Sequence, residues 1–182
     1  MIKKILIAVA VLIIAVFLFH NLRSLSFTNG CPAGYSGSPN DNANCSTNCH
    51  NSNVENKVDT GWIKSNINKT GYVGGSTYTF TTTATGINTS KKFGFEISPQ
   101  FADGKLAGKL IVTNANETKL VGNGKYITQI SGGVDGTSSK TWTFDWIAPA
   151  KGSGKLTFYG AYLIGGNKEI SVTSFLNVNE AQ

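Results

Sequence analysis

The chain has 182 residues, a length that suits one domain with a single core. Its formal net charge is +6, and only 14% of its residues are charged. Three of the positive charges, Lys3, Lys4 and Arg23, belong to the N-terminal segment, and the other lysines form no basic stripe. The composition therefore argues against nucleic acid as a partner. Abundant Gly, Ser, Thr and Asn instead indicate an exported all-β protein.

Residues 1–26 have the features of an export segment. Lys3 and Lys4 precede an apolar run over residues 5–19, which matches the short core of a signal peptide. A bilayer-spanning helix needs about 20 apolar residues, so the run is short for a permanent anchor. Two outcomes stay open, namely cleavage after the weak signal at residues 24–26 and retention as an N-terminal membrane anchor. Both place the rest of the chain in the periplasm or at the cell surface.

Residues 27–60 are predicted to form a loop-rich segment, because nothing in them alternates as a strand does. The segment contains Cys45, Cys49 and His50 in a C-x-x-x-C-H motif, one residue longer than the common motif of c-type haem attachment. In that chemistry the two thiols bond the haem and the imidazole becomes an axial ligand of the iron. Cys45 and Cys49 are therefore candidate attachment points for haem c, and His50 is a candidate ligand of the haem iron.

Other uses of these residues stay open. Thiols outside the cytoplasm tend to be oxidised, so a disulfide between two of Cys31, Cys45 and Cys49 is the main competing interpretation. A structural zinc site made of the three cysteines and His50 is disfavoured by the same oxidising environment.

A haem site in the exported part would lack a second histidine or methionine ligand. The other histidine of the chain, His20, and its one methionine, Met1, both lie in the export segment. This argues against a self-contained electron carrier and favours gas sensing or a relay that depends on a partner.

From residue 61 onward the apolar residues fall at alternate positions, as they do in strands. The clearest strand covers residues 141–146. The other predicted strands cover residues 62–67, 77–84, 93–97, 110–113, 126–130, 156–164 and 171–178. Short strands joined by Gly-, Asn- and Pro-rich turns predict an all-β, immunoglobulin-like antiparallel β-sandwich over residues 61–182.

Aromatic residues raise the alternative of a carbohydrate-binding surface. The three aromatic residues of strand 141–146 share one face, so we expect them in the core. The remaining candidates for a ligand surface are Tyr35, Trp62, Tyr72 and Tyr159.

An enzymatic function is not expected. His50 is the one histidine of the exported part, so a Ser-His-Asp set would have to take it from the cysteine motif. Cys49 and His50 are adjacent in sequence and so point in different directions, unlike a catalytic pair that the fold brings together. We expect no catalytic residues.

Four short motifs occur in a characteristic order: YSGSP at residues 35–39, FGFE at 93–96, WTFDWIAP at 142–149 and GKLTFY at 154–159. In this order they resemble the reelin-type domains of bacterial surface proteins, also called choice-of-anchor V domains. The resemblance covers most of the exported part. It implies an extracellular sandwich built like the N-terminal domain of reelin, with varied anchoring devices and no settled biochemical activity.

The chain departs from the pattern of that family in two places. Members usually carry C-x-x-C-H, whereas this chain has an extra residue between Cys45 and Cys49. Members also often have a histidine in the strand before the Trp motif, where this chain has Gln129. The sequence ends at Gln182, close behind the last predicted strand, so we expect any anchor to be N-terminal.

Together these features predict a non-enzymatic cell-surface or periplasmic β-sandwich that serves as an interaction or adhesion module. Its expected partner is an unidentified envelope or extracellular protein or glycan, and residues 1–26 are expected to contact the membrane. The competing predictions are a c-type haem protein of the envelope, in electron transfer or gas sensing, and a carbohydrate-binding module. Haem c is the cofactor that the sequence suggests.

Overall fold

A computed structural model describes residues 28–47, 49–50, 55–86, 90–165 and 169–182. The segment predicted as a signal peptide or anchor, residues 1–26, lies outside these ranges. Within them there is no helix with the length and hydrophobicity to cross a membrane. The strands are β1 (Glu55–Val58), β2 (Ile63–Ser65), β3 (Thr77–Thr85), β4 (Lys92–Gln100), β5 (Lys109–Val112), β6 (Thr118–Val121), β7 (Tyr126–Gln129), β8 (Ser139–Ile147), β9 (Leu156–Gly165) and β10 (Ile170–Val178).

The strands form two sheets. One has six strands in the order β1-β10-β9-β4-β7-β6, and the other has four in the order β2-β3-β8-β5. Strand β1 pairs with β10 in parallel, and the other strand pairs of the described chain are antiparallel. The structure confirms the predicted all-β, immunoglobulin-like sandwich.

The core lies between the two sheets and is largely aromatic. Trp142, Phe144 and Trp146, at alternate positions of β8, are each at most 1% exposed. Phe80 of β3 stacks on Phe158 of β9 with ring centroids 4.1 Å apart, which joins the two sheets across the interior. The expectation that the aromatic residues of β8 form the core is confirmed.

The six-stranded sheet is also covered on its outer face. We call residues 28–47 and 49–50 the lid, because they lie over this face and contact β4, β7 and β10. On β4 the outward positions carry Glu96, Ser98 and Gln100, which are at most 1% exposed. A polar row is therefore buried beneath the lid, on the strand whose other face packs into the aromatic core.

The strands expected from the sequence are present, and the structure adds two others. Strand β1 lies inside the segment predicted to be loop-rich, and its last three residues are exposed. Strand β6 has four residues and forms the other edge of its sheet. Short edge strands with exposed residues lack the regular burial that produces an alternating sequence.

Candidate functional site

A cavity of about 530 Å³ lies between the lid and the six-stranded sheet, at the end where β4 begins. Its lid side is formed by Cys31, Tyr35, Cys45, Cys49 and His50. The fold thus brings all three residues of the C-x-x-x-C-H motif, together with the third cysteine, to the wall of one cavity.

The floor of the cavity lies where β4 and β7 separate. These strands form Cα pairs at only two positions, and beyond them the Oε1 of Gln129 accepts the backbone N–H of Phe95 at 2.7 Å. A side chain thus replaces a ladder hydrogen bond. Gly94 lies over this point, and a Cβ there would be 3.2 Å from the Gln129 Nε2. The glycine keeps the floor open, because almost any side chain would extend into the cavity.

The imidazole of His50 is held by a carboxylate. Its Nδ1 lies 2.9 Å from the Oε2 of Glu169, which immediately precedes β10. An ionised carboxylate can only accept, so Nδ1 carries the proton and Nε2 is the basic ring nitrogen. Metal-binding histidines are commonly oriented in this way, by a hydrogen bond from the other ring nitrogen.

The three cysteines are free thiols with different surroundings: Cys45 is buried, Cys31 is half-buried and Cys49 is exposed. Burial, followed by the nearby Glu96, raises the pKa of Cys45 to about 12, and the same two causes raise the pKa of Cys31. The structure gives no support to a disulfide among them. Cys49 is the thiol that solvent reaches.

Glu96 joins the lid to β4. Its Oε1 accepts the backbone N–H groups of Gly34 at 3.0 Å and Tyr35 at 2.6 Å, while its buried Oε2 has no hydrogen-bond partner in the described chain. Burial raises the pKa of Glu96 to about 8 and outweighs the two hydrogen bonds, which lower it. The carboxyl is therefore mostly protonated at neutral pH. Sequence reasoning missed this role, although Glu96, Ser98 and Gln100 form a polar row on an otherwise apolar strand.

Asp41 forms a second attachment of the lid. Its carboxylate accepts hydrogen bonds from the Ser36 hydroxyl at 2.5 Å and the Tyr126 hydroxyl at 2.7 Å, and Lys125 Nζ lies 3.7 Å away. Burial by itself would raise the pKa of Asp41, but the hydrogen bonds and Lys125 outweigh it and the pKa is lowered. Asp41 is thus a charged anchor, whereas Glu96 is a neutral one.

The side chains fit haem better than a metal ion bound by the protein alone. In the parts of the chain that the structure describes, no three His, Cys, Asp or Glu side chains are grouped closely enough to hold a metal ion, so zinc gains no support. Attachment of haem c uses two thiols and one imidazole of a short motif. Cys45, Cys49 and His50 line one cavity, with one residue more between the cysteines than the common motif has, and the contact of His50 with Glu169 leaves Nε2 free of that hydrogen bond.

The aromatic candidates for a sugar-binding surface are mostly covered. Tyr72 is fully buried, Trp62 packs edge-on against Tyr162 with centroids 5.0 Å apart, and Tyr35 and Tyr159 are half-buried. The exposed large hydrophobic side chains of the described chain are Val58, Val73, Leu120 and Phe175. Phe175 is the one aromatic residue among these four, so the described part of the chain has no row of exposed rings on which a glycan would stack.

Comparison with protein-family models finds no match, and comparison with curated proteins finds none either. Solved structures do match. The Reelin-N domain of F-spondin aligns with a TM-score of 0.54 and 16% identity, over 71% of this chain and 94% of that chain. A crystal structure of the human F-spondin reeler domain aligns with a TM-score of 0.51 and 16% identity, over 70% of this chain and 95% of that chain.

The fold is therefore that of a reeler-like β-sandwich. At this level of identity the likeness concerns the fold alone. Membership of the choice-of-anchor V family stays a prediction from the four sequence motifs.

Proposed function

We propose that this protein is a non-enzymatic, extracytoplasmic interaction module of reeler-like fold, which binds its ligand in the cavity beneath the lid. The cavity is the observation that supports the proposal. Its volume of about 530 Å³ falls within the range of small-molecule sites, roughly 300–1,000 Å³. The export segment at residues 1–26 supports a location outside the cytoplasm.

The cavity has the composition of a binding site as well as its size. The apolar lining includes Val134 and Leu163, and it also reaches Phe93 and Phe95, which belong to the aromatic core. The polar and charged side chains of the lining lie mainly at the lid and rim. Ligand sites commonly combine apolar walls with a small number of placed polar groups. A purely structural packing of lid on sheet would leave no such space, because protein interiors are close-packed.

A fluorescent apolar probe tests this function. N-phenyl-1-naphthylamine, which is uncharged at neutral pH, is titrated into the haem-free protein. We expect saturable binding of one probe per chain, and at least tenfold weaker binding to Gly94→Leu, whose side chain fills the cavity floor. Gly94→Ala is the milder variant and should have an intermediate effect.

The matched control is Gly61→Leu. Gly61 is exposed and, like Gly94, has no positive φ, so the same side chain is added at a place remote from the cavity. Circular dichroism establishes that each variant is folded. Equal binding by the wild type, Gly94→Leu and Gly61→Leu, or no binding by any of them, would contradict the proposal.

A second candidate function is that of a c-type haem protein of the cell envelope, favoured by the contact between His50 and Glu169. Cys45 and Cys49 would hold the porphyrin through thioether bonds, and His50 would present Nε2 to the iron. The apolar walls would exclude water from the site. Bound haem would supply a redox-active or gas-binding iron.

Production in a host with c-type haem maturation tests this candidate. We expect a Soret band and a protein mass increased by one covalent haem, both retained by Cys31→Ser and lost when Cys45 and Cys49 are both changed to serine. Glu169→Gln should keep the covalent haem and alter its spectrum, because the hydrogen bond that orients His50 is weakened. A colourless wild-type protein with three alkylatable thiols after unfolding would rule the candidate out.

A further inference from the structure

We infer that the cavity recognises an amphipathic carboxylate, with its apolar body inside the cavity and its carboxylate paired with Lys91 at the rim. The inference rests on the proposed binding function of the cavity and names the chemistry of the ligand. It is drawn from the lysines at the rim of the cavity, which lie outside the C-x-x-x-C-H motif.

Two lysines lie at the rim, where the chain enters β4. The Nζ of Lys92 lies 2.5 Å from the Oδ1 of Asp135, so its charge is already compensated. Lys91 is exposed and lines the same cavity. All ten acidic residues of the chain are in the described ranges, and none has a carboxylate oxygen within 4.0 Å of the Lys91 Nζ.

The acidic residue at the rim does not pair with Lys91. Glu169 keeps its negative charge, but its Oε2 accepts from His50 Nδ1 at 2.9 Å, which holds the carboxylate at the lid side of the cavity. No carboxylate oxygen of the described chain lies within 4.0 Å of Lys91 Nζ, so an anion that approaches the other side of the opening meets an unpaired ammonium.

The walls behind this cation are apolar. Val134 and Leu163 line the cavity together with the glycine floor at Gly94. A small hydrophilic anion would leave this surface without contacts, whereas an aliphatic or aromatic body would remove it from water. The combination of an apolar interior and a cation at the opening matches a molecule with a carboxylate at one end.

The carboxylate beside Lys91 could come from two sources, a free long-chain carboxylate or the propionates of a covalently attached haem. The protein is therefore tested in two forms, one made without haem maturation and one made with it. Decanoate is the probe, and 1-decanol, which has the same chain length and no charge, is its control. Each displaces N-phenyl-1-naphthylamine from the cavity at pH 7.5 and low salt.

We expect decanoate to displace the dye at about one half to one fifth of the concentration that decanol needs, the range that one exposed ion pair contributes. Lys91→Met keeps the aliphatic stem and should make the two probes equal. Lys109→Met, at an exposed lysine on the other sheet, should leave the preference unchanged. Gly94→Leu should weaken binding of both probes.

The outcomes separate this inference from the function on which it rests. If the wild type binds both probes equally, carboxylate recognition is overturned and the cavity function stands. If the dye itself does not bind, the cavity function fails. Binding of decanoate by the haem-loaded form, or by a chain that takes up no haem, assigns the carboxylate to a free ligand. Binding by the haem-free form alone, with decanoate excluded once haem is attached, assigns it to the haem propionates.

Discussion

The two faces of the six-stranded sheet are both buried, but different forces hold them. Phe95 and Glu96 are neighbours on β4 and point to opposite faces. Phe95 packs against Trp142 in the core, with ring centroids 4.4 Å apart. Glu96 accepts two backbone hydrogen bonds from the lid.

The face that packs into the core stabilises the fold, whereas the face beneath the lid contains the candidate site. The core is held by dispersion and the hydrophobic effect, which change little with pH. The lid is held by hydrogen bonds to two carboxyl groups, one protonated and one charged, and so responds to pH. The candidate site lies on the second face, where the attachments are specific and the packing leaves a cavity.

The largest expected effect lies in the core. Trp146 is fully buried among Tyr72, Phe80 and Phe158, and its Nε1 donates to the carbonyl of Ala107 at 2.7 Å. Trp146→Ala should lower the free energy of unfolding by about 3–5 kcal/mol, measured by urea denaturation.

Trp146→Phe keeps part of the ring packing and provides a measurable loss if the alanine variant does not fold. Thr143→Ala, at an exposed position of the same strand, should change stability by no more than about 0.5 kcal/mol. A loss below about 1 kcal/mol in both tryptophan variants would show that the core does not depend on this residue.

The next effect is the pH dependence of the lid. Because the pKa of Glu96 is raised from 4.5 to about 8 on folding, the folded chain keeps a proton that the unfolded chain loses in this range. Its contribution to the free energy of unfolding therefore decreases by about 4 kcal/mol between pH 4.5 and pH 8 and levels off above pH 8. Glu96→Gln accepts the same hydrogen bonds without titrating, so its stability should lack this decrease.

Urea denaturation of both proteins at intervals from pH 5 to pH 9 measures the difference. Every other titrating group is common to the two proteins, so the difference between their profiles reports Glu96. Asp145→Asn, at a half-buried residue of β8 outside the lid, should follow the wild type. Parallel profiles for the wild type and Glu96→Gln would contradict this account of the lid.

Asp41 should show a smaller effect with the opposite dependence on pH. Its pKa is lowered on folding, so its contribution to stability is present above pH 4 and is lost as the pH falls through the pKa of the folded state. Asp41→Asn should cost about 1–2 kcal/mol at pH 7, because hydrogen bonds to a charged acceptor become bonds to a neutral one. Hydrogen exchange measured by mass spectrometry should then be faster over residues 28–47. Unchanged exchange there would exclude Asp41 as an anchor.

The smallest effect is expected at the exposed thiol. Cys49→Ser should change stability by less than about 0.5 kcal/mol, whereas the same change at the buried Cys45 should cost about 1–3 kcal/mol. In the folded, haem-free protein, iodoacetamide should label Cys49 first and the half-buried Cys31 more slowly, with Cys45 reacting only after unfolding. Equal labelling rates for the three cysteines would show that the lid is not closed.

The sequence predicted the sandwich because alternation is a local property. In β8 the apolar residues occupy every second position, and this pattern identifies both the strand and its core face. The four-residue strands β1 and β6 carry no such pattern and were not predicted. Their positions depend on pairing with β10 and β7, which the sequence does not display locally.

The site was predicted only in part, because its contacts are distant in sequence. The motif identified Cys45, Cys49 and His50, but Glu169, which orients His50, lies 119 residues away. The contact between Gly34 and Glu96 likewise spans 62 residues. Lys91 belongs to no motif, and the FGFE motif that contains Gly94 indicated a fold and not a site. Both residues become part of a site only when the lid covers the beginning of β4.

Native mass spectrometry of the protein isolated from its own cell envelope tests the central claim most directly. If the cavity beneath the lid is a binding site, the wild-type chain should carry one small molecule, bound reversibly or as covalent haem, and Gly94→Leu should have lost the reversible ligand or retain haem with an altered Soret band. A wild-type chain with the mass of the unmodified, unliganded polypeptide, and with no Soret absorbance, would contradict the account.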